Sequence, residues 1–208
     1  MTKEEFLKRL KEDEEYSPGW QAIDDAFDKL YPGQNPEHFA TDMQTRAMFG
    51  GDEYLDGFSI YTSSKGYKHI VTYGMTVLYG DEDAFGEEWN GWGYEMTIKL
   101  KEDNSQNCMW ALDMMSNLAR YTYTTERFFE PEQFVKGNGQ PLHIGTDSKI
   151  TALLLVSDTE AQTQMSVYGK TEFIQLIGIT ESEIQAIIKD RSNVRKLIEL
   201  MKADGNTD

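Results

Sequence analysis

The 208-residue chain contains one cysteine, Cys108, so it can close no intramolecular disulfide, and a reducing compartment is the natural expectation. It also lacks any uninterrupted apolar run long enough to span a bilayer, and its N-terminal MTKEEFLKRLKEDEE has no apolar centre of signal-peptide length. A cytoplasmic protein with no membrane association is expected. Histidine is scarce: His38, His69 and His143 lie far apart, with neither HExxH nor CxxC, so zinc has no support. There is no GxSxG and no Walker-type loop. Cys108 with His143 could nominally serve as nucleophile and base, but Cys108 fits an apolar helical stripe and is expected to be buried and inert. Basic residues are in the minority, 20 against 36 acidic, for a formal charge of −16. Such a surface repels nucleic-acid phosphates and anionic lipid and favours encounter with basic partners.

What the chain does have is concentrated between Tyr73 and Lys101. Met75, Val77 and Tyr79 alternate with small or polar residues, and Tyr94, Met96, Ile98 and Leu100 alternate again, so two strands are expected to bracket a loop. The loop carries Asp81, Glu82, Asp83, Glu87 and Glu88 with Phe85, Trp89 and Trp92, and glycines at 80, 86, 91 and 93 joint its backbone. Acidic and aromatic side chains displayed together suit the gripping of another molecule. Glycines on both sides of Trp92 argue for close backbone approach, so Trp92 is expected to be partly buried and Trp89 more exposed. A calcium-loop comparison starting at Asp81 fails, because Phe85 stands where an oxygen ligand is needed and Trp92 where the bidentate glutamate belongs. No metal and no cofactor is expected.

The remaining pattern predicts helices at both ends of the chain. Thr2 with Glu5 forms a capping box, and Ser17 before Pro18 opens a helix carrying Trp20, Ile23, Ala26, Phe27 and Leu30 that stops at Tyr31–Gly33. His38 to Met48 is ambiguous, and Gly50, Gly51 and Asp52 mark a turn. Phe58–Tyr61 and His69–Tyr73 read as short strands in an antiparallel arrangement. Cys108, Ala111, Leu112, Met115, Leu118, Ala119 and Thr122 make a long helix ending near Glu126, whereas Phe128 to Asp147 reads as irregular loop. Ala152–Val156 reads as a buried central strand, Phe173–Ile179 as another, followed by a capping box at Thr180 and Glu183 and a last helix from Ser192. The fold class expected is α+β: a mainly antiparallel or mixed sheet packed with helices. Residues 1–15 form a helical extension, 16–203 one domain and 204–208 a fraying tail.

Six pieces in this order resemble the suppressor of fused family: GWQAIDDAFDKLYPGQNP (19–36), FGGDEYLDGFSIYTS (49–63), HIVTYGMTVLYGDE (69–82), GWGYEMTIKLK (91–101), NLARYTYTTERFF (117–129) and TEFIQLIGITESEI (171–184). The resemblance implies an α+β fold and a protein that works by binding rather than by chemistry. Animal members restrain transcription factors of the Hedgehog pathway with the help of a second domain, which is not expected here. Bacterial members are compact single domains that look like immunity proteins, neutralising toxins inside the producing cell. On that resemblance the partner-facing residues are Tyr79, Asp81 and the loop up to Trp92, and the partner is a basic toxin domain, possible nucleases included, met by a monomer. Two other functions fit the residues less closely: a regulatory adaptor holding a peptide of another protein, and a metal-assisted hydrolase built on the loop carboxylates.

Overall fold

A computed structural model describes residues 1–41, 44, 47–48 and 55–205. Thr2 and Glu5 do close a reciprocal capping box at the start of α1 (Lys3–Glu12), and Phe6 is the side chain that this helix buries. Pro18 occupies the first turn of α2 (Pro18–Leu30), but Ser17 does not cap it: its hydroxyl donates to the Glu15 carbonyl instead. The strands are β1 (Glu37–Ala40), β2 (Gly57–Thr62), β3 (Lys68–Tyr73), β4 (Trp89–Leu100), β5 (Phe134–Lys136), β6 (Ile150–Ser157), β7 (Gln164–Ser166) and β8 (Gly169–Thr180). A 3-10 turn at Ser105–Cys108, capped by Asn104, leads into α3 (Met109–Thr125), and α4 (Glu181–Lys189) and α5 (Asn193–Ala203) close the chain. No helix among the described residues is long and apolar enough to cross a membrane.

The strands form one mixed sheet in the order β1-β2-β3-β4-β8-β6-β5, with β7 folded back on β8. Every pairing is antiparallel except β4 with β8, which run parallel at the centre. The α+β expectation therefore holds, and the sheet is the mixed alternative. β6 is buried as its apolar run demands, but it is the penultimate strand and not a central one. Its continuous hydrophobicity comes from being covered on both faces. On one face Leu153 and Leu155 join Met96, Ile98, Ile174 and Leu176 under Ala111, Leu112, Met115 and Ala119 of α3. On the other, Leu154 and Val156 meet Ile184, Ile187 and Val194 of α4 and α5. Further along that second face, Ile23 and Phe27 of α2 pack on Tyr61, Val71, Tyr73 and Phe173.

Three expectations need revision. The Met75–Tyr79 segment is not a strand, since β3 ends at Tyr73; Trp89 and Trp92 in turn belong to β4 and not to the loop. The 128–147 region contains the edge strand β5, paired with β6 from Phe134↔Leu154 to Lys136↔Ala152. The ambiguous stretch after Pro36 opens with β1, paired with β2. The expected turn at Gly50–Asp52 lies outside the described residues.

One polar cluster is buried between the sheet and the turn after β6. His69 Nδ1 is 2.8 Å from the Tyr31 hydroxyl and its Nε2 is 2.9 Å from Asp158 Oδ2, with both His69 and Asp158 side chains inaccessible to solvent. Thr97 Oγ1 donates to the same carboxylate oxygen at 2.5 Å, and the other oxygen accepts from the backbone N–H groups of Glu160 and Ala161. Lys99 lies 3.7 Å from Asp158 and 3.0 Å from Glu160. The cluster ties β3, β4 and α2 to the chain leaving β6.

Cys108 is buried in the apolar stripe, and burial pushes its thiol up to about 11, so it stays protonated at neutral pH. His143 is stacked on Trp110, and no hydrogen bond joins it to Cys108 among the described residues.

An acidic and aromatic face held by buried polar residues

The loop is displayed as it is because two polar side chains of β4 point inward beneath it. Glu95 is completely buried, and its carboxylate accepts from Thr72 Oγ1 (2.6 Å), Gly74 N (3.1 Å), Met75 N (3.3 Å), Thr76 N (3.0 Å) and Thr76 Oγ1 (2.7 Å). Asn90, also buried, accepts from Val77 N (2.9 Å) and donates to Val77 O (3.3 Å). The donors that a β-ladder would have consumed are thus satisfied by side chains, and this is why residues 74–77 leave the sheet although their pattern alternates. Gly74 makes the exit possible. Its φ is +127°, and a Cβ there would come within 2.9 Å of Asp56 N.

Burial pushes the Glu95 carboxyl up to about 7, and the hydrogen bonds donated by Thr72, Thr76 and Gly74 only partly offset it.

Downstream, the backbone is pinned from below at each step. Gly19 N and Trp20 N both donate to Leu78 O (3.2 and 3.3 Å). The fully buried Tyr168 hydroxyl donates to Tyr79 O (2.7 Å) and accepts from Asp81 N (2.9 Å). Asp81 Oδ1 accepts from Asp83 N (2.8 Å), an Asx turn that spends this carboxylate on the loop itself. Gly86 N donates to Val167 O and Lys170 N to Glu88 O. Phe85 turns inward and stacks on Phe6 of α1, ring centres 4.8 Å apart.

The sequence-predicted site residues therefore separate into two groups. Glu82, Asp83, Glu87 and Glu88 are exposed, as are Tyr79 (51 %) and Trp89 (43 %). Asp81, Phe85 and Trp92 are half-buried: Asp81 closes the turn, Phe85 packs on α1, and Trp92 meets the edge of Tyr123 at 6.0 Å. The contrast expected between Trp89 and Trp92 holds. Trp89 is not bare, because Lys170 lies 4.4 Å over its ring and also pairs with Glu172. Sequence reasoning missed Glu95, Asn90 and Tyr168. The available signal for Glu95 was a carboxylate set among apolar residues in the middle of a strand, which belongs there only if something in the interior donates to it.

Gly19 shows how closely these pieces approach. A Cβ at this position would fall 1.8 Å from Val77 O. Gly19→Ala is expected to push the 77–79 segment off α2 and destabilise the protein by roughly 2 kcal/mol or more, measured by urea unfolding, although alanine is the better helix former.

Fold and face together define a class: an α+β domain that displays acidic and aromatic side chains on a backbone held by buried hydrogen bonds. A sequence model of the suppressor of fused protein family matches residues 51–208, and the chain belongs to that family. The suppressor of fused homolog of Homo sapiens is 26 % identical over 197 residues, covering 88 % of this chain and 40 % of that protein; the chain thus spans about two fifths of its relative's length. Among solved structures, the Sufu–Fu complex superposes with a TM-score of 0.71 at 22 % identity, covering 86 % of this chain and 83 % of the other. The Drosophila suppressor of fused gives 0.70 at 23 %, covering 82 % and 44 %. A homolog from Neisseria gonorrhoeae gives 0.58 at 15 %, covering 90 % of both chains. At these identities the superpositions speak for the fold alone.

Proposed function

We propose that this chain is a non-enzymatic binding protein of the immunity or antitoxin type, which occludes the basic working surface of a cognate toxin domain in the cytoplasm. The observation that carries this reading is the pairing of exposed carboxylates at Glu82, Asp83, Glu87 and Glu88 with exposed Tyr79 and Trp89, on a backbone already fixed by buried hydrogen bonds. A loop ordered before encounter loses little further entropy on binding, and net negative charge steers a basic partner into contact. An adaptor that holds a peptide of another protein is the second reading, supported by the complex that a structural relative forms with Fu.

The partner is to be obtained by co-purification from the native host and its binding measured with Glu82, Glu87 and Glu88 reversed to lysine. Asp81 is left in place because its carboxylate holds the turn. The expected result is a loss of affinity of roughly a hundredfold with the thermal midpoint unchanged, and association that slows as salt is raised. Unchanged affinity would remove the loop from the interface. A partner with catalytic toxin activity that the protein suppresses selects the first reading, and one without it selects the second.

A further inference from the structure

A cleft of about 1200 Å3 opens between the N-terminal helix, the start of α2 and the acidic loop. Its aromatic lining is Tyr16, Trp20, Tyr79 and Phe85, with Trp20 beside Tyr79 and both Tyr16 and Phe85 packed on Phe6. We propose that this cleft takes an extended basic peptide segment of a protein partner, with an arginine or lysine side chain set between the aromatic rings and the carboxylates of Asp13, Glu15 and Asp25. The proposal rests on the protein-binding reading above and adds Asp13, Glu15, Tyr16, Trp20 and Asp25 to the residues of the loop.

Ring geometry comes first. The Trp20 and Tyr79 rings lie 6.2 Å apart at 38°, and Trp20 is backed by Tyr73 at 4.5 Å. Trp20 is thus held in place by ring packing, with His38 at 5.2 Å as well, and Trp20 and Tyr79 both line the cleft. A cation is attracted to the face of such a ring by its quadrupole, most strongly over tryptophan. The chain already illustrates the chemistry: the Arg9 guanidinium stands 3.9 Å from the centre of the Tyr16 ring. No cation of the described residues lies over Trp20.

Charge gives the second argument. Asp13, Glu15 and Asp25 line the cleft with Arg9 as the one basic side chain among its described residues, and none of the three acids enters an ion pair among the described residues. Glu82 and Asp83 stand exposed on the adjoining loop, so the potential at the mouth is negative. The volume exceeds what one small molecule fills and suits a peptide backbone with two or three side chains. Met165, 71 % exposed in β7, adds a flexible apolar contact of the kind that adapts to varied side chains.

The test is a titration of the full chain with the capped peptide Ac-Arg-Ala-Arg-Ala-Arg-NH2, and with its glutamate counterpart, by calorimetry and by the indole 1H–15N signals of the four tryptophans. Saturable heat with the arginine peptide alone, and a shift centred on Trp20, are expected. The surface variant D13N/E15Q/D25N should weaken binding roughly tenfold without altering the unfolding midpoint. No saturable binding, a shift confined to other tryptophans, or binding indifferent to that variant would each overturn the site. The cognate partner separates this proposal from the previous one. If it binds D13N/E15Q/D25N as tightly as the natural chain, the cleft is wrong and protein binding stands. If the host yields no partner, the protein-binding reading fails, whereas the peptide titration still decides the cleft.

Discussion

Replacing Asp158 by alanine is expected to destabilise the protein by about 3–5 kcal/mol, among the largest effects available to a single substitution, because it removes one member of a buried charged cluster and strands the others. The carboxylate accepts from His69 Nε2, Thr97 Oγ1 and the backbone N–H groups of Glu160 and Ala161, all in a region closed to water. Alanine leaves these donors facing a void. Asparagine keeps the shape and one acceptor oxygen, so Asp158→Asn should lose noticeably less. The pair of variants thereby separates packing from electrostatics. Burial on its own would raise the Asp158 carboxyl, but the hydrogen bond and charge of His69, with Lys99 and Thr97, outweigh it and hold the group well below the usual carboxylate range. A depressed carboxyl contributes stability that is present above its unfolded value and lost as pH falls through the folded one. The natural chain should therefore lose stability below about pH 4, and Asp158→Asn should lose less over the same range. Urea unfolding followed by circular dichroism at several pH values measures both effects. Equal acid sensitivity in the two proteins would sink the electrostatic account.

Glu95 should behave in the opposite way. Its carboxyl is raised in the folded state from an ordinary 4.5 to about 7, so the unfolded chain ionises first. The stability associated with the protonated group is fully present below the unfolded value and drains away as pH rises through the folded one. Over that window the loss amounts to roughly 3 kcal/mol. Glu95→Gln places an amide nitrogen where the protonated oxygen would sit. It should fold with stability nearly flat between pH 5 and 8, for which Thr72 Oγ1 must turn from donor to acceptor and the Met75 N–H gives up its partner on the same oxygen. Glu95→Ala strands the N–H groups of Gly74, Met75 and Thr76 and should cost about 3 kcal/mol or more at about pH 5, a difference that shrinks as pH rises and the natural chain loses the stability of its own protonated carboxyl. It should also free the segment that carries Tyr79. Amide exchange at Gly74 and Thr76, whose N–H groups share the oxygen that glutamine keeps, gives the local readout: faster exchange in Glu95→Ala but not in Glu95→Gln is expected, and uniform protection in both would show that Glu95 does not hold the loop.

Much of the scaffold could be read before folding was considered. Capping boxes at Thr2 and Thr180 are local devices in which side chain and backbone lie three residues apart, so pattern alone finds them. The stripe of α3 and the run of β6 report the same thing at the next scale, since periodicity records which faces are covered. Ser17 and Ser192 have the right residue type at the right place and still make no side-chain cap, because other partners compete for the hydroxyl or the geometry does not close.

The misread segment was 75–79, and the reason is specific. Alternation says which way side chains point, but it does not say where the backbone donors go. Glu95 and Asn90, 13 to 21 residues downstream, took them.

By itself the sequence determined the α+β class, the acidic balance, the helices at both ends and a loop crowded with carboxylates and aromatic rings, since each of these follows from composition or from contacts within a turn or two. Only the tertiary structure decided that β4 and β8 lie side by side and parallel, that Phe85 and Trp92 turn inward while Tyr79 and Trp89 face out, and that α1 and α2 complete a cleft beside the loop. Those outcomes depend on groups far apart in the chain competing for the same buried hydrogen bonds and the same apolar surface. No local pattern records the result of that competition.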